Sequence, residues 1–130
     1  MIQYPVRILY VEDDKLLRDL IQAMLNDKSK YEVDVAEDGE EGIELNKKNN
    51  YDIIFMDIMM PKIDGVKTAY IIKQTHPNIP IMAVTALERY QIRNYNSEDF
   101  PIDYYLRKPV FSNVLKKTID NIIKNDISKK

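Results

Sequence analysis

A chain of 130 residues with 45% hydrophobic and 31% charged residues has the size and balance of one globular domain with a proper core. A net charge of −2 argues against direct nucleic-acid or anionic-membrane binding, and the absence of cysteine excludes disulfides and thiolate metal sites. No apolar run approaches the ~20 residues needed to cross a bilayer, and Met1–Pro5 lacks the basic and apolar blocks of a signal peptide, so a reducing cytoplasm is the expected compartment.

Val6-Arg7-Ile8-Leu9-Tyr10-Val11 reads as a first strand, with Glu12-Asp13-Asp14 at its carboxyl end. A helix is predicted over about Lys15 to Asn26, capped by Asp14, with Leu17, Leu20, Ile21 and Met24 as its apolar stripe. The β-branched stretch Glu32 to Ala36 predicts a second strand. After the Asp38-Gly39 turn, Glu40 to Lys48 predicts a weaker helix, since Gly42 and Asn46 lower its propensity.

Ile53 to Met56 is apolar without alternation, as expected of a strand buried on both faces of a parallel sheet. Asp57 follows directly, and Pro61 keeps a helix from starting early. After Asp64-Gly65 a helix is predicted over Val66 to Thr75, ended by His76-Pro77-Asn78. His76, the sole histidine, reads as a solvated turn residue, and Met56 and Met82 read as core filling. Ile79 to Val84 predicts the fourth strand and Ile102 to Leu106 the fifth. Ser112 is placed to cap a last helix carrying Leu115, Ile119, Ile122 and Ile123.

Strand and helix alternate five times without internal repeats, which predicts a parallel, three-layer doubly wound (βα)5 sandwich. Glu88 to Pro101 shows no clean period, so a helix there is expected from topology alone. Lys116 to Lys130 reads as a solvated basic face, with 127–130 as a short polar tail after a domain of residues 1–126.

The polar residues just past the strands are Glu12, Asp13, Asp57, Thr85 and Lys108. Each alone has an ordinary reading as a cap, a strand-end hydroxyl or a surface charge; their joint placement is the signal. Strands one and three are neighbours in a doubly wound sheet, so Glu12, Asp13 and Asp57 should cluster. Clustered carboxylates need a cation, and an oxygen-only set of few acids suits Mg²⁺. A carboxylate beside such a cation can attack phosphorus, and the ammonium of Lys108 and the hydroxyl of Thr85 can meet the phosphoryl charge.

The chain resembles the receiver domain of two-component response regulators over nearly its whole length. The matching residues are Glu12-Asp13, Asp57 with Pro61 and Gly65, Val84-Thr85-Ala86, and Tyr105 with Lys108-Pro109. The resemblance implies a flavodoxin-like sheet in the order 2-1-3-4-5 and Asp57 as phosphoacceptor. It implies a Mg²⁺ site from Asp13, Asp57, the backbone carbonyl of Met59 and, largely through bound water, Glu12. It implies Thr85 and Tyr105 as a switch pair, Lys108 as the phosphoryl-contacting lysine, and a cis Lys108–Pro109 peptide. The implied partners are a histidine kinase or phosphotransfer protein and a downstream target, with a phosphorylation-linked homodimer among the allowed assemblies. Such a chain is no enzyme beyond taking and losing its own phosphoryl group. One departure is Ser97-Glu98-Asp99-Phe100-Pro101, where the family usually carries an Ala- and Gly-rich turn; a shortened or shifted fourth helix is expected there.

Rival readings fit less well. A phosphatase of the haloacid dehalogenase type needs a second Asp two residues after its nucleophile, where this chain has Met59. A nucleotide binder needs a glycine-rich phosphate loop, which Gly39, Gly42 and Gly65 do not form. A phosphorylation-independent pseudo-receiver is the alternative, against which the full acidic, Thr and Lys set argues. No output domain is expected within these residues, so the chain is either a stand-alone receiver or part of a longer regulator or hybrid kinase.

Overall fold

A computed structural model describes residues 2–92 and 97–128. It contains β1 (Val6–Val11), α1 (Lys15–Met24), β2 (Tyr31–Ala36), α2 (Gly39–Lys48), β3 (Ile53–Met56), α3 (Gly65–Thr75), β4 (Ile81–Thr85), β5 (Tyr104–Arg107) and α4 (Ser112–Ser128). The five strands form one parallel sheet in the order β2-β1-β3-β4-β5. Ile127 and Ser128, expected in the tail, lie within α4, while 129–130 are outside the described residues.

Alternation along each strand sorts the apolar side chains into two layers. Ile8, Tyr10, Ile53, Phe55, Met82 and Val84 face a layer completed by Ile21 and Leu25 near α1 and by Leu115, Ile119 and Ile122 of α4. Leu9, Val11, Ile54, Met56, Ile81 and Ala83 face the opposite layer with Ala69 and Ile72 of α3 and, half-buried, Ile43 and Leu45 of α2. Fully burying each such side chain is worth roughly 1.5–3 kcal/mol, which is why strands so short persist. Met56 and Met82 lie in this core, each 0% exposed.

Three helices that follow strands start on an aspartate whose carboxylate accepts a backbone N–H: Asp14 from Leu16, Asp38 from Glu41 and Asp64 from Lys67. Each such cap contributes about 0.5–2 kcal/mol and sets where its helix begins above the strand ends. Ser112 is the first residue of α4 rather than a cap preceding it, and its turn is closed by Leu115 N–H donating to the Phe111 carbonyl.

The structure departs from several expectations. The buried face of α1 is Arg18 and Ile21, continued by Leu25, whereas Leu20 is 45% exposed. Leu17 and Met24 of the expected stripe are half-buried, and Arg18 joins the buried face by reaching inward to the Glu12 carbonyl at 2.8 Å. The two residues that weaken α2 serve packing. A Cβ on Gly42 would lie 2.8 Å from Val11 Cγ2, and Asn46, 2% exposed, bonds across to His76 Nδ1 at 3.0 Å. His76 therefore clasps α3 to α2 rather than standing in solvent. Between β4 and β5 the described residues hold only a 3-10 turn, Arg89–Gln91, in place of an α-helix. Arg93, Asn94, Tyr95 and Asn96 of that segment lie outside the described residues.

Candidate functional site

The site forms where β1, β3, β4 and β5 end. Main-chain bonds continue the ladders past the strands and fix the next residues: Glu12 N–H to the Ala36 carbonyl at 3.0 Å, Asp57 N–H to Val11 at 3.0 Å, and Lys108 N–H to Thr85 at 2.8 Å. By alternation, Glu12 continues the face of Tyr10 and Asp57 that of Phe55, so both acids point to one side. Thr85 continues the face of Ile81 and Ala83, the other side. Gly65 N–H donates to the Ile58 carbonyl at 2.9 Å, drawing α3 against the loop after β3. A Cβ at Gly65 would fall 2.0 Å from the Asp57 carbonyl oxygen, so only glycine permits this approach.

Carboxylate oxygens of Glu12, Asp13 and Asp57 all lie within 4.8 Å of one another. Glu12 and Asp57 are 1% and 5% exposed, and Asp13 is open to solvent. Lys108 Nζ sits 2.7 Å from Glu12 Oε1 and 3.7 Å from Asp57 Oδ2. Burial above all, then the hydrogen bond and charge of Glu12, push the Asp57 carboxyl up to about 7 against the pull of Lys108. Burial also opposes ionisation of Glu12, but hydrogen bonds from Asp57, Lys108 and Tyr10 outweigh it and hold that carboxyl below its usual range. The Asp13 carboxyl is raised by its partial burial and then by Glu12. A cluster that raises the Asp57 carboxyl to about 7 is short of positive charge. Its hard, oxygen-only donors, with one acid reaching solvent, fit a divalent cation that retains water.

The remaining residues singled out from sequence flank this cluster. Thr85, 1% exposed, accepts Leu87 N–H at 3.3 Å through its hydroxyl oxygen. Tyr105 is half-buried, donates its hydroxyl proton to the Leu87 carbonyl, and has the Arg89 guanidinium 4.9 Å above its ring. Thr85 and Tyr105 are thus joined through one residue. Strict alternation over 102–106 would put Ile102, Tyr104 and Leu106 on one face, but only Tyr104 and Leu106 share it: Ile102 precedes β5 and packs on the opposite layer with Tyr105. Met59, 65% exposed, and Leu87 line one apolar groove beside the site. The Lys108–Pro109 and Tyr4–Pro5 peptides are both cis.

Two residues of the site escaped the reading of the sequence. Tyr10 looked like one more apolar strand residue, yet its hydroxyl donates to Glu12 Oε1 at 2.8 Å. Its position two before Glu12, on the same strand face, was the available signal. Arg18 lies outside the apolar stripe that the sequence predicts for α1, and only packing shows it holding the Glu12 carbonyl.

Fold and site together define a class: a doubly wound parallel sheet carrying an acid cluster and one lysine at the strand ends, without a nucleotide loop. The family model for the response regulator receiver domain matches residues 8–120, and the chain belongs to that family of two-component signalling domains. The response regulator MprA of Mycobacterium sp. (strain KMS) is 35% identical over 105 residues, covering 81% of this chain. The chain spans less than half, 45%, of that relative's length. Among solved structures, the response regulator protein TrrA of Thermotoga maritima, in complex with Mg²⁺ and BeF, is 31% identical with a TM-score of 0.79, over 90% of this chain and 98% of its own. The receiver domain of the sensor histidine kinase PA1611 of Pseudomonas aeruginosa has a magnesium ion coordinated in its active-site cleft. It is 29% identical with a TM-score of 0.80, over 92% of this chain and 98% of its own. A receiver domain is a signalling domain rather than an enzyme in the ordinary sense. No helix among the described residues is long and apolar enough to cross a membrane.

Proposed function

We propose that this chain accepts a phosphoryl group on Asp57 from a histidine kinase, phosphotransfer protein or small phosphodonor, and uses it to switch a protein-interaction surface. The observation that carries the reading is the buried Asp57 within reach of both an acid cluster and the Lys108 ammonium. Glu12, Asp13, Asp57 and the Met59 carbonyl would hold Mg²⁺, which when bound neutralises the acids and polarises phosphoryl oxygens. An Asp57 oxygen would bond to phosphorus as the donor's bond breaks: the P–N bond of a phosphohistidine, whose imidazole leaves and takes up a proton, or the P–O bond of acetyl phosphate, which leaves as acetate. Lys108 supplies a compact positive charge and Thr85 a hydroxyl donor to the phosphoryl oxygens. Tyr105 is the second member of the switch. The magnesium in the TrrA and PA1611 sites supports this assignment. Residues 1–126 serve as the receiver unit, acting in the cytoplasm.

The test is incubation with acetyl phosphate and Mg²⁺, followed by intact mass. One added phosphoryl group is expected, abolished by EDTA and by Asp57→Asn. Labelling that survives Asp57→Asn overturns the assignment.

A further inference from the structure

We propose that Tyr10 is a positioning residue of this site: its buried hydroxyl anchors the Glu12 carboxylate and remains its donor when Lys108 turns to the phosphoryl group. The inference rests on the reading of Asp57 as phosphoacceptor.

Tyr10 is 1% exposed in β1, and its ring meets Phe55 edge-on, with centroids 6.1 Å apart at 70°. A phenol held by a strand on one side and an aromatic neighbour on the other has little freedom to swing. Its hydroxyl reaches Glu12 Oε1 at 2.8 Å, and the same oxygen accepts from Lys108 Nζ at 2.7 Å. The other oxygen, Oε2, accepts the Asp14 N–H at 3.3 Å.

Lys108 is therefore engaged by Glu12 more closely than by Asp57, at 2.7 against 3.7 Å. When a phosphoryl group stands on Asp57, its oxygens compete for the ammonium, and the bond to Glu12 lengthens or is lost. Glu12 is 1% exposed, and a buried carboxylate stripped of a donor is costly. Tyr10 cannot follow the lysine, because it belongs to the strand and not to the loop after β5. It keeps Oε1 hydrogen-bonded and so lowers the cost of releasing Lys108. Without that hydroxyl, Glu12 holds the lysine harder and the phosphoryl group is met less well. Phenylalanine preserves the ring contact with Phe55, so the hydroxyl can be removed alone.

The test uses the full chain at saturating Mg²⁺, with beryllofluoride as the phosphoryl mimic and calorimetric titration as the readout. Tyr10→Phe should weaken beryllofluoride binding about tenfold, the scale of one hydrogen bond to a charged group. In the metal-free variant the Lys108 ¹⁵Nζ resonance should shift as the lysine closes on Glu12. Ile119→Val, in the same core layer but on α4, should lower Tm while leaving beryllofluoride affinity within about twofold. Wild-type affinity in Tyr10→Phe overturns the proposal, as does a loss in both variants that tracks their loss of Tm. If wild type itself does not bind beryllofluoride, or Asp57→Asn binds it equally, the phosphoacceptor reading fails and this inference falls with it.

Discussion

Asp57 stands in a position that costs the metal-free fold free energy. Its carboxyl titrates at about 7 in the folded chain against an ordinary value of 3.8, burial being the main cause and Glu12 the next. An acid whose folded pKa is raised adds stability below its unfolded pKa, and that contribution is lost as pH rises through the folded value. In EDTA, the Tm of wild type relative to Asp57→Asn should therefore fall between about pH 4 and pH 8. Added Mg²⁺ should restore wild type at the upper end and do little for Asp57→Asn. Thermal scans across that range check both statements, and a difference between the two proteins that ignores pH and metal would remove the acid cluster as its cause.

At the scale of elements, the site depends on how closely helices approach strand ends. Asp14, Asp38 and Asp64 cap three helices, but only at Gly65 does the helix start press on the main chain of Asp57 itself. A methyl group at Gly65 would meet backbone at 2.0 Å, whereas at Gly39 it would meet the Thr68 hydroxyl at 2.3 Å, a side-chain atom that would have to give up its bond to the Asp64 carbonyl to move. Gly65→Ala is expected to cost about 1–3 kcal/mol and to weaken Mg²⁺ binding, with Gly39→Ala costing less. Urea denaturation and metal titration of the two variants decide it, and the reverse order would refute the role given to Gly65. The connection from β4 to β5 follows a different logic. It is tied to the sheet by Arg107, which pairs with Glu88 at 2.5 Å and donates to the Ala86 carbonyl at 3.3 Å.

Across the whole molecule, Leu87 links Thr85, at the acid cluster's side of the strand ends, to Tyr105 on the edge strand β5. Its N–H is held by Thr85 and its carbonyl by Tyr105. A Thr85 hydroxyl that turned to a phosphoryl oxygen would give up the Leu87 N–H, and the loop carrying the Tyr105 acceptor and Arg89 would be expected to shift. Two arrangements of this linkage would be a bistable element that the phosphoryl group biases. Beryllofluoride with Mg²⁺ should move the NMR resonances of residues 87–92 and of Tyr105, and Thr85→Ala should blunt those shifts while sparing Mg²⁺ affinity. Shifts confined to the neighbours of Asp57 would make the chain a phosphoryl store and not a switch.

The architecture was legible because it rests on local chemistry repeated along the chain. Uninterrupted apolar runs such as Ile53–Met56 are viable only between two helical layers, and acids at strand ends mark where such runs leave the sheet. The grouping of Glu12, Asp13 and Asp57 follows from that alternation in a doubly wound sheet, whereas the strand order 2-1-3-4-5 came from the resemblance to receiver domains. Tertiary packing alone decided that Arg18 joins the buried face of α1, because it finds a carbonyl acceptor inside that no helical period encodes. It likewise turned His76 and Asn46 into a clasp between α2 and α3, and put Ile102 on the layer opposite Tyr104. The role of Tyr10 was hidden for the same reason. A hydroxyl at the edge of an apolar strand acquires meaning only when packing brings a carboxylate to 2.8 Å and takes away the water that would otherwise satisfy it.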